Sequence, residues 1–249
     1  MFVYWRTNNG REWRSFFVMT KQDVFSFFGS LGYEPKNVDL YRQAITHRSY
    51  LNEHRSYNLD HNERLEFLGD AVLELIVTRY LFENYSNPEG EMTAWRAALV
   101  CGEMLSMVAR ELDIESQLLM SKGESKDVGR ARQYILANTV EAIIGAIYLD
   151  KGYDEAKRFV ETFIISHLRE VLEKKLYLDA KSYFQEKAQE KVSITPTYKE
   201  HSSNGPDHDR IFVVGVYLGE ELVSEGSGSS KQEAQRNAAR LALEKKGWL

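Results

Sequence analysis

The segment ILANTVEAIIGAIYLD, residues 135–150, is apolar or small at nearly every position. A helix that is apolar on all sides must be buried, so this segment predicts a central helix of a domain. Its small residues Ala142, Gly145 and Ala146 would let a second helix approach closely. Glu141 stands in the middle of the segment, and a buried carboxylate without a partner is strongly disfavoured. The fold must therefore give Glu141 a basic partner or a metal ion.

A second segment, HNERLEFLGDAVLELIV at residues 61–77, places acidic residues along one stripe of a helix. At 100° per residue, Glu63, Glu66 and Asp70 lie within about 60° of each other, and Glu74 follows one turn on. The apolar residues on the far side are Leu65, Leu68, Val72, Leu75 and Ile76. An ordinary amphipathic helix with a solvated face is one interpretation. However, a solvated face normally mixes charges of both signs, and no basic residue interrupts these acids.

Composition sets the broad class of the protein. The chain has 249 residues, of which 43% are hydrophobic and 28% charged, as in a soluble globular protein of one or two domains. No apolar run reaches about 18 residues, and no secretory signal is recognisable at the start, so we expect a cytoplasmic protein with no membrane segment. A single cysteine, Cys101, excludes an intrachain disulfide and argues against a structural zinc site. The net charge of −5 argues only weakly against a nucleic-acid partner, since local clusters decide phosphate contact.

The pattern of residues divides the chain into three parts. Residues 1–20 have no clear period and are expected to be an extension that is disordered. Residues 21–174 are helical nearly throughout, with long periodic segments at 61–85, 91–112, 134–150 and 153–174. Residues 179–249 predict a helix, a three-stranded antiparallel meander and a final helix that Gly247 ends. The expected fold is thus an all-α domain followed by a small α+β domain of α-β-β-β-α order.

The two acidic helices suggest one joint site. Asn138 lies three residues before Glu141, on the same face. If this face meets the stripe of Glu66 and Asp70, four oxygen-bearing side chains converge. Two carboxylates 5 Å apart repel by about 3 kcal/mol at an effective dielectric near 20. Mg²⁺, which prefers oxygen ligands, would offset this repulsion. The alternative is an ion pair of Glu141 with an arginine of the core, such as Arg96 or Arg79.

Several motifs resemble those of one known family. HNERLEFLGDAVL is similar to the signature of the ribonuclease III endonucleases. The segments at 45–53, 91–100 and 121–152 match further parts of that family in order and spacing. DAKSYFQE, GPDH and GSGSSKQEAQRNAA resemble a double-stranded-RNA-binding domain. The resemblance covers residues 22–249, with both domains in the order of the bacterial enzymes.

The resemblance implies a homodimeric endoribonuclease that hydrolyses double-stranded RNA with Mg²⁺, for which Mn²⁺ would substitute. The dimer would form through the catalytic domain. The products would carry 5′-phosphate and 3′-hydroxyl ends with short 3′ overhangs, as in processing of ribosomal and messenger RNA precursors. The metal ligands implied are Glu66, Asp70, Asn138 and Glu141. Asp70, Glu141 and Glu63 would carry the catalytic role, with Glu63 also near the dimer contact.

The C-terminal domain offers three predicted contacts to RNA. Ser182, Gln185 and Gln189 lie on one helix face with hydroxyl and amide groups that can bind 2′-hydroxyls in the minor groove. A solvated helix face is the alternative. His208 in a loop would reach a second minor groove, although a loop histidine is usually only exposed. Free N–H groups at the start of the last helix would bind phosphate. The remaining expected RNA contacts are Lys181, Lys231, Gln232, Arg130 and Arg132; for the two arginines a solvated basic loop is equally expected.

The chain departs from the family pattern at a few positions. Asn138 stands where the family usually has Asp. The asparagine keeps a carbonyl oxygen that can bind a metal ion, but it lacks the negative charge of an aspartate. Tyr134 replaces a residue that is usually small, and Trp95 is unusual in its helix. His47 and His61, near the signature, are interpreted as helix caps or packed polar contacts. A non-cleaving RNA-binding homologue is the main alternative function, and a helical scaffold without RNA is a third.

Overall fold

The computed structural model describes residues 20–126, 129–205 and 210–248. The chain divides into two compact units. Among the described residues, one unit comprises 20–73, 106–126 and 134–159. The other comprises 74–105, 129–133, 160–205 and 210–248. The domain limits expected from sequence, 1–20, 21–174 and 179–249, stay a prediction.

Ten α-helices occupy the described residues before 174. Their bounds are α1 Lys21–Ser30, α2 Val38–Ala44, α3 Arg48–Glu53, α4 Glu63–Asn84, α5 Glu89–Val100, α6 Gly102–Glu111, α7 Ile114–Gln117, α8 Arg130–Lys151, α9 Tyr153–Phe163 and α10 Leu168–Glu173. Short 3-10 helices lie at Glu124–Lys126 and Ile165–His167. The all-helical character expected for this part of the chain is confirmed.

Helix boundaries differ from the sequence expectation in three places. The segment 91–112 forms two helices, because Cys101 takes an extended backbone with ψ 153° between α5 and α6. Helix α8 begins at Arg130, four residues earlier than expected, directly after Gly129 in the left-handed region. The segment 153–174 is interrupted by the 3-10 helix at Ile165–His167. Apolar periodicity continues across such breaks, so it does not report them.

Helix α8 is the buried helix that the sequence predicts. Eleven of its residues from Ile135 to Ile147 are buried. Helix α4 turns Leu65, Val72 and Leu73 into the interior. Leu75, expected on its apolar side, is instead 57% exposed, which corrects that assignment.

The C-terminal part has the expected α-β-β-β-α order. Helix α11 spans Ala180–Val192, strands β1, β2 and β3 span Thr197–Asn204, Ile211–Leu218 and Glu221–Gly228, and helix α12 spans Lys231–Lys246. The strands form one antiparallel sheet in the order β1-β2-β3, with Lys199 opposite Gly215 and Gly215 opposite Glu225. The core between sheet and helices contains Phe184, Ala188, Val216, Leu218, Val223, Ala238, Ala239, Ala242 and Leu243.

Both ends of helix α12 are capped, and its C-terminal end lies at Gly247 as the sequence predicts. Ser230 caps its start by accepting a hydrogen bond from the backbone N–H of Glu233, and Gly247 ends it with φ 64°. Within the described residues, no helix combines the length and the apolar character needed to cross a bilayer.

Candidate active site and RNA interface

Two glycines bring the backbones of α4 and α8 into direct contact. A Cβ atom placed on Gly69 would lie 1.7 Å from the carbonyl oxygen of Glu141. A Cβ atom placed on Gly145 would lie 2.3 Å from the carbonyl oxygen of Leu65. Side chains at these positions would hold the helices apart. The contact therefore needs glycine on both helices, and it aligns the acidic stripe of α4 with the Asn138–Glu141 face of α8.

This contact brings Glu66, Asp70, Asn138 and Glu141 close together. Glu66 accepts a hydrogen bond from Asn138, which favours its charged form. Burial, and then the charges of Glu63 and Asp70, outweigh that bond and raise the pKa of Glu66 above its ordinary value. Burial, followed by the charges of Asp70 and Glu66, raises the pKa of Glu141 to about 8. The carboxylates thus destabilise each other's charged forms.

The two arginines considered as partners for Glu141 bind other carboxylates. Arg96 lies 3.6 Å from Glu74 and donates to the hydroxyl of Thr78 at 2.9 Å. Arg79 contacts Glu83 at 2.7 Å. The ion-pair alternative for Glu141 with these residues is therefore wrong.

Glu63 has a different environment from the other acids. Arg48 lies 3.6 Å from one of its oxygens, and the Nδ1 atom of His61 lies 3.9 Å from the other. His61 Nδ1 also accepts a bond from the backbone N–H of Glu63. His47 caps α3, accepting from the N–H of Ser49 as a structural histidine would. Both histidines thus make the local polar contacts expected of them.

The donor chemistry of this cluster fits a hard divalent cation. Three carboxylates and one amide supply oxygen atoms, as Mg²⁺ requires. In the part of the chain that the structure describes, Glu66, Asp70 and Glu141 form no salt bridge with a basic residue. As the side chains stand, however, no three Asp, Glu, His or Cys residues among those described meet at metal-ligand spacing. Assembly of the four around an ion therefore remains a proposal.

Sequence reasoning recognised Gly145 as a point of close approach but missed its counterpart, Gly69. The signal was present, because Gly69 is a helix-interior glycine directly before Asp70. It also missed Arg48 as the neighbour of Glu63.

The polar face predicted on α11 is present. Ser182, Gln185 and Gln189 line one open depression of about 490 Å³, as the expected spacing requires. Glu186 and Glu190 line it as well and were not anticipated.

Three of the basic residues expected to contact RNA bind groups of their own chain. Lys231 pairs with Glu200 at 2.7 Å, and Lys181 donates to the side chain of Gln235 at 2.7 Å. Arg130 donates to the hydroxyl of Ser230 at 3.2 Å and lies 3.8 Å from Glu233.

The remaining residues expected to contact RNA lie in the first turns of helices or outside the described residues. Gln232 is exposed in the first turn of α12, and Arg132 is half-buried in the first turn of α8. His208 lies outside the described residues.

Comparisons with known proteins identify both domains of the chain. A family model described as ribonuclease-III-like matches residues 37–168, and one described as a double-stranded RNA binding motif matches residues 180–246. Ribonuclease 3 of Borreliella afzelii is 42% identical over 90% of this chain and 91% of its own length. Ribonuclease 3 of Staphylococcus aureus is 43% identical over 85% of this chain and 87% of its own length.

A solved structure is similar as well. The nuclease domain of ribonuclease III from Campylobacter jejuni has a TM-score of 0.52 and 38% identity, covering 57% of this chain and 96% of that chain. With a helical domain that matches the ribonuclease-III-like model and a C-terminal double-stranded RNA binding motif, the chain belongs to the ribonuclease III family of endoribonucleases that act on double-stranded RNA.

Proposed function

We propose that this endoribonuclease hydrolyses the phosphodiester bonds of duplex RNA with Mg²⁺ held by Glu66, Asp70, Asn138 and Glu141. The observation that carries the proposal is the glycine-mediated contact of α4 and α8, which gathers these side chains. Mn²⁺, with the same preference for oxygen ligands, should substitute. When bound, divalent ions would activate the attacking water and offset charge on the leaving oxygen.

The residues of the chain have separable tasks in this proposal. Asp70 and Glu141 supply charged oxygens, and Glu66 is oriented by Asn138. Asn138 adds an uncharged carbonyl oxygen, so the site holds one negative charge fewer than a fourth carboxylate would give. Glu63, beside Arg48, is proposed to support the site from its edge.

Duplex binding is assigned to the depression on α11 and to the start of α12. The amide and hydroxyl groups of Ser182, Gln185 and Gln189 suit 2′-hydroxyls in the minor groove. Lys231 is paired with Glu200, so a phosphate that binds this lysine competes with that carboxylate. We therefore expect shape-based binding that weakens steeply with salt.

The proposed assembly is a homodimer through the nuclease domain. Phe67 is 82% exposed beside the acidic stripe, an unusual position for a large apolar side chain. The Campylobacter jejuni nuclease domain has a region involved in dimer formation. Light scattering should report twice the chain mass, and Phe67→Ala should shift the protein towards monomer.

The products and the cellular role are proposed on family membership. We expect 5′-phosphate and 3′-hydroxyl ends with short 3′ overhangs, and ribosomal and messenger RNA precursors as substrates in the cytoplasm. Ligation that requires a 5′-phosphate, followed by sequencing of both product strands, would test the ends.

The main experiment incubates the purified chain with a long RNA duplex in Mg²⁺ and in EDTA. Cleavage should occur with Mg²⁺ alone. Glu141→Gln should abolish it and leave duplex affinity within about twofold, whereas the matched change Glu173→Gln, at an exposed pair with Arg169, should cleave normally. Full cleavage in EDTA, or by the Glu141→Gln variant, would contradict the metal proposal. Binding without cleavage in both Mg²⁺ and Mn²⁺ would favour the non-cleaving alternative that Asn138 raises.

A further inference from the structure

Tyr134 is an exposed aromatic residue on the same helix face as the proposed metal ligands. It precedes Asn138 by four residues and Glu141 by seven on α8, which places all three along one side. Its side chain is 60% exposed, while its neighbours Ile135 and Leu136 are buried. Within the described residues, no hydrogen bond to its hydroxyl occurs. Packing inside the protein therefore does not explain the ring.

Helix geometry places Tyr134 at one edge of the site. Four residues of helix span about 6 Å and seven span about 10 Å, and the side chains of one face lean in the same direction. Tyr134 therefore lies beyond Asn138, about 10 Å from Glu141 along the helix axis. A phosphate held at the acidic cluster would have its neighbouring nucleotide within reach of this ring.

The structure of duplex RNA limits which of its groups Tyr134 can bind. Its bases are stacked and paired, so an aromatic ring has no free base face, whereas 2′-hydroxyls line the wide minor groove. A phenol both donates and accepts one hydrogen bond, as a 2′-hydroxyl does. The uncharged tyrosine hydroxyl is therefore suited to bind a 2′-hydroxyl beside a cluster of carboxylates.

We propose that the Tyr134 hydroxyl binds a ribose 2′-hydroxyl of a nucleotide adjacent to the scissile phosphate. This contact positions the strand that is cut and favours RNA over DNA at that nucleotide. The inference rests on the proposed function, because it takes the scissile phosphate to lie at the Glu66–Glu141 cluster.

The test is a double-mutant cycle between protein and substrate. Single-turnover cleavage is measured on an RNA hairpin with one cut site. A series of otherwise identical hairpins each carries a single 2′-deoxynucleotide, at one of the positions within two nucleotides of the cut. Tyr134→Phe should slow cleavage of the all-ribose hairpin by about three- to tenfold, as loss of one hydrogen bond does. One deoxynucleotide should slow the unaltered enzyme by a similar factor and leave Tyr134→Phe unaffected. Tyr148→Phe is the matched control, because Tyr148 is a partly exposed tyrosine of the same helix, about 21 Å further along.

The same cycle is repeated with the affinity for each hairpin as the measured quantity. Binding is measured at equilibrium in EDTA, and every protein then also carries Glu141→Gln. This arm reports on Tyr134 even if the chain cleaves nothing, an outcome that would refute the proposed function separately. Equal rates for Tyr134→Phe and the unaltered enzyme overturn the inference. So do deoxy effects of equal size in both proteins, or a loss seen with Tyr134→Ala but not with Tyr134→Phe.

Discussion

Substitution of Gly69 by Ala should push α4 and α8 apart. The new Cβ would lie 1.7 Å from the Glu141 carbonyl oxygen, whereas ordinary contacts begin at 3.4 Å. The backbones must therefore separate by more than about 1.5 Å, since neither atom belongs to a flexible side chain. Overpacking of this kind costs about 1–3 kcal/mol, and a backbone obstacle places Gly69→Ala at the upper end. For a domain of this size we expect the melting temperature to fall by about 6–12 °C.

The functional effect of Gly69→Ala should exceed the effect on stability. Moving Glu66 and Asp70 by more than 1 Å relative to Glu141 should reduce duplex cleavage by about 100-fold or more, because placement of catalytic groups tolerates little error. Duplex binding through the C-terminal domain should be retained. The measurements are circular-dichroism melting, single-turnover cleavage in saturating Mg²⁺ at 20 °C, and filter binding.

Gly29→Ala is the matched control. Gly29 lies within α1, and nothing lies within 4 Å of its Cβ position. Alanine there should leave cleavage unchanged and raise stability by up to about 1 kcal/mol. Gly145→Ala should resemble Gly69→Ala, and the two together should cost less than their sum, because one separation accommodates both methyl groups. If Gly69→Ala melts and cleaves like the unaltered protein, the close backbone contact is refuted.

Three further predictions concern the acids and the RNA interface. Asn138→Asp should lower the Mg²⁺ concentration for half-maximal cleavage by about threefold or more, since it adds a charged ligand; an unchanged titration would contradict its assignment. Because the folded state raises the pKa of Glu141 from 4.5 to about 8, the chelated protein should lose thermal stability as pH rises from about 5 to 8, and Glu141→Gln should flatten this slope; a rise would refute it. In filter binding, Lys231→Ala should reduce the salt slope by about one, whereas Gln185→Ala should weaken binding without changing that slope; equal slopes would exclude Lys231 as a phosphate contact.

Much of the fold follows from local rules. The near-continuous apolar run of 135–147 predicted a buried helix, and the turn residues after 192 predicted the meander. The helix end at Gly247 was predictable because it depends on the conformational preference of that one residue. The break at Cys101 was missed although Gly102 follows it directly, because the apolar periodicity continues from α5 into α6.

For the site, the sequence by itself determined the candidate residues: acids on one stripe of α4, and a carboxylate in the apolar helix α8 that needs a partner. Only the tertiary structure decided that Gly69 and Gly145 face each other, and that Arg96 and Arg79 bind elsewhere. Helical periodicity fixes the face on which a residue lies, but not which other helix meets that face. That choice depends on backbone approach between segments about seventy residues apart, which no local pattern records.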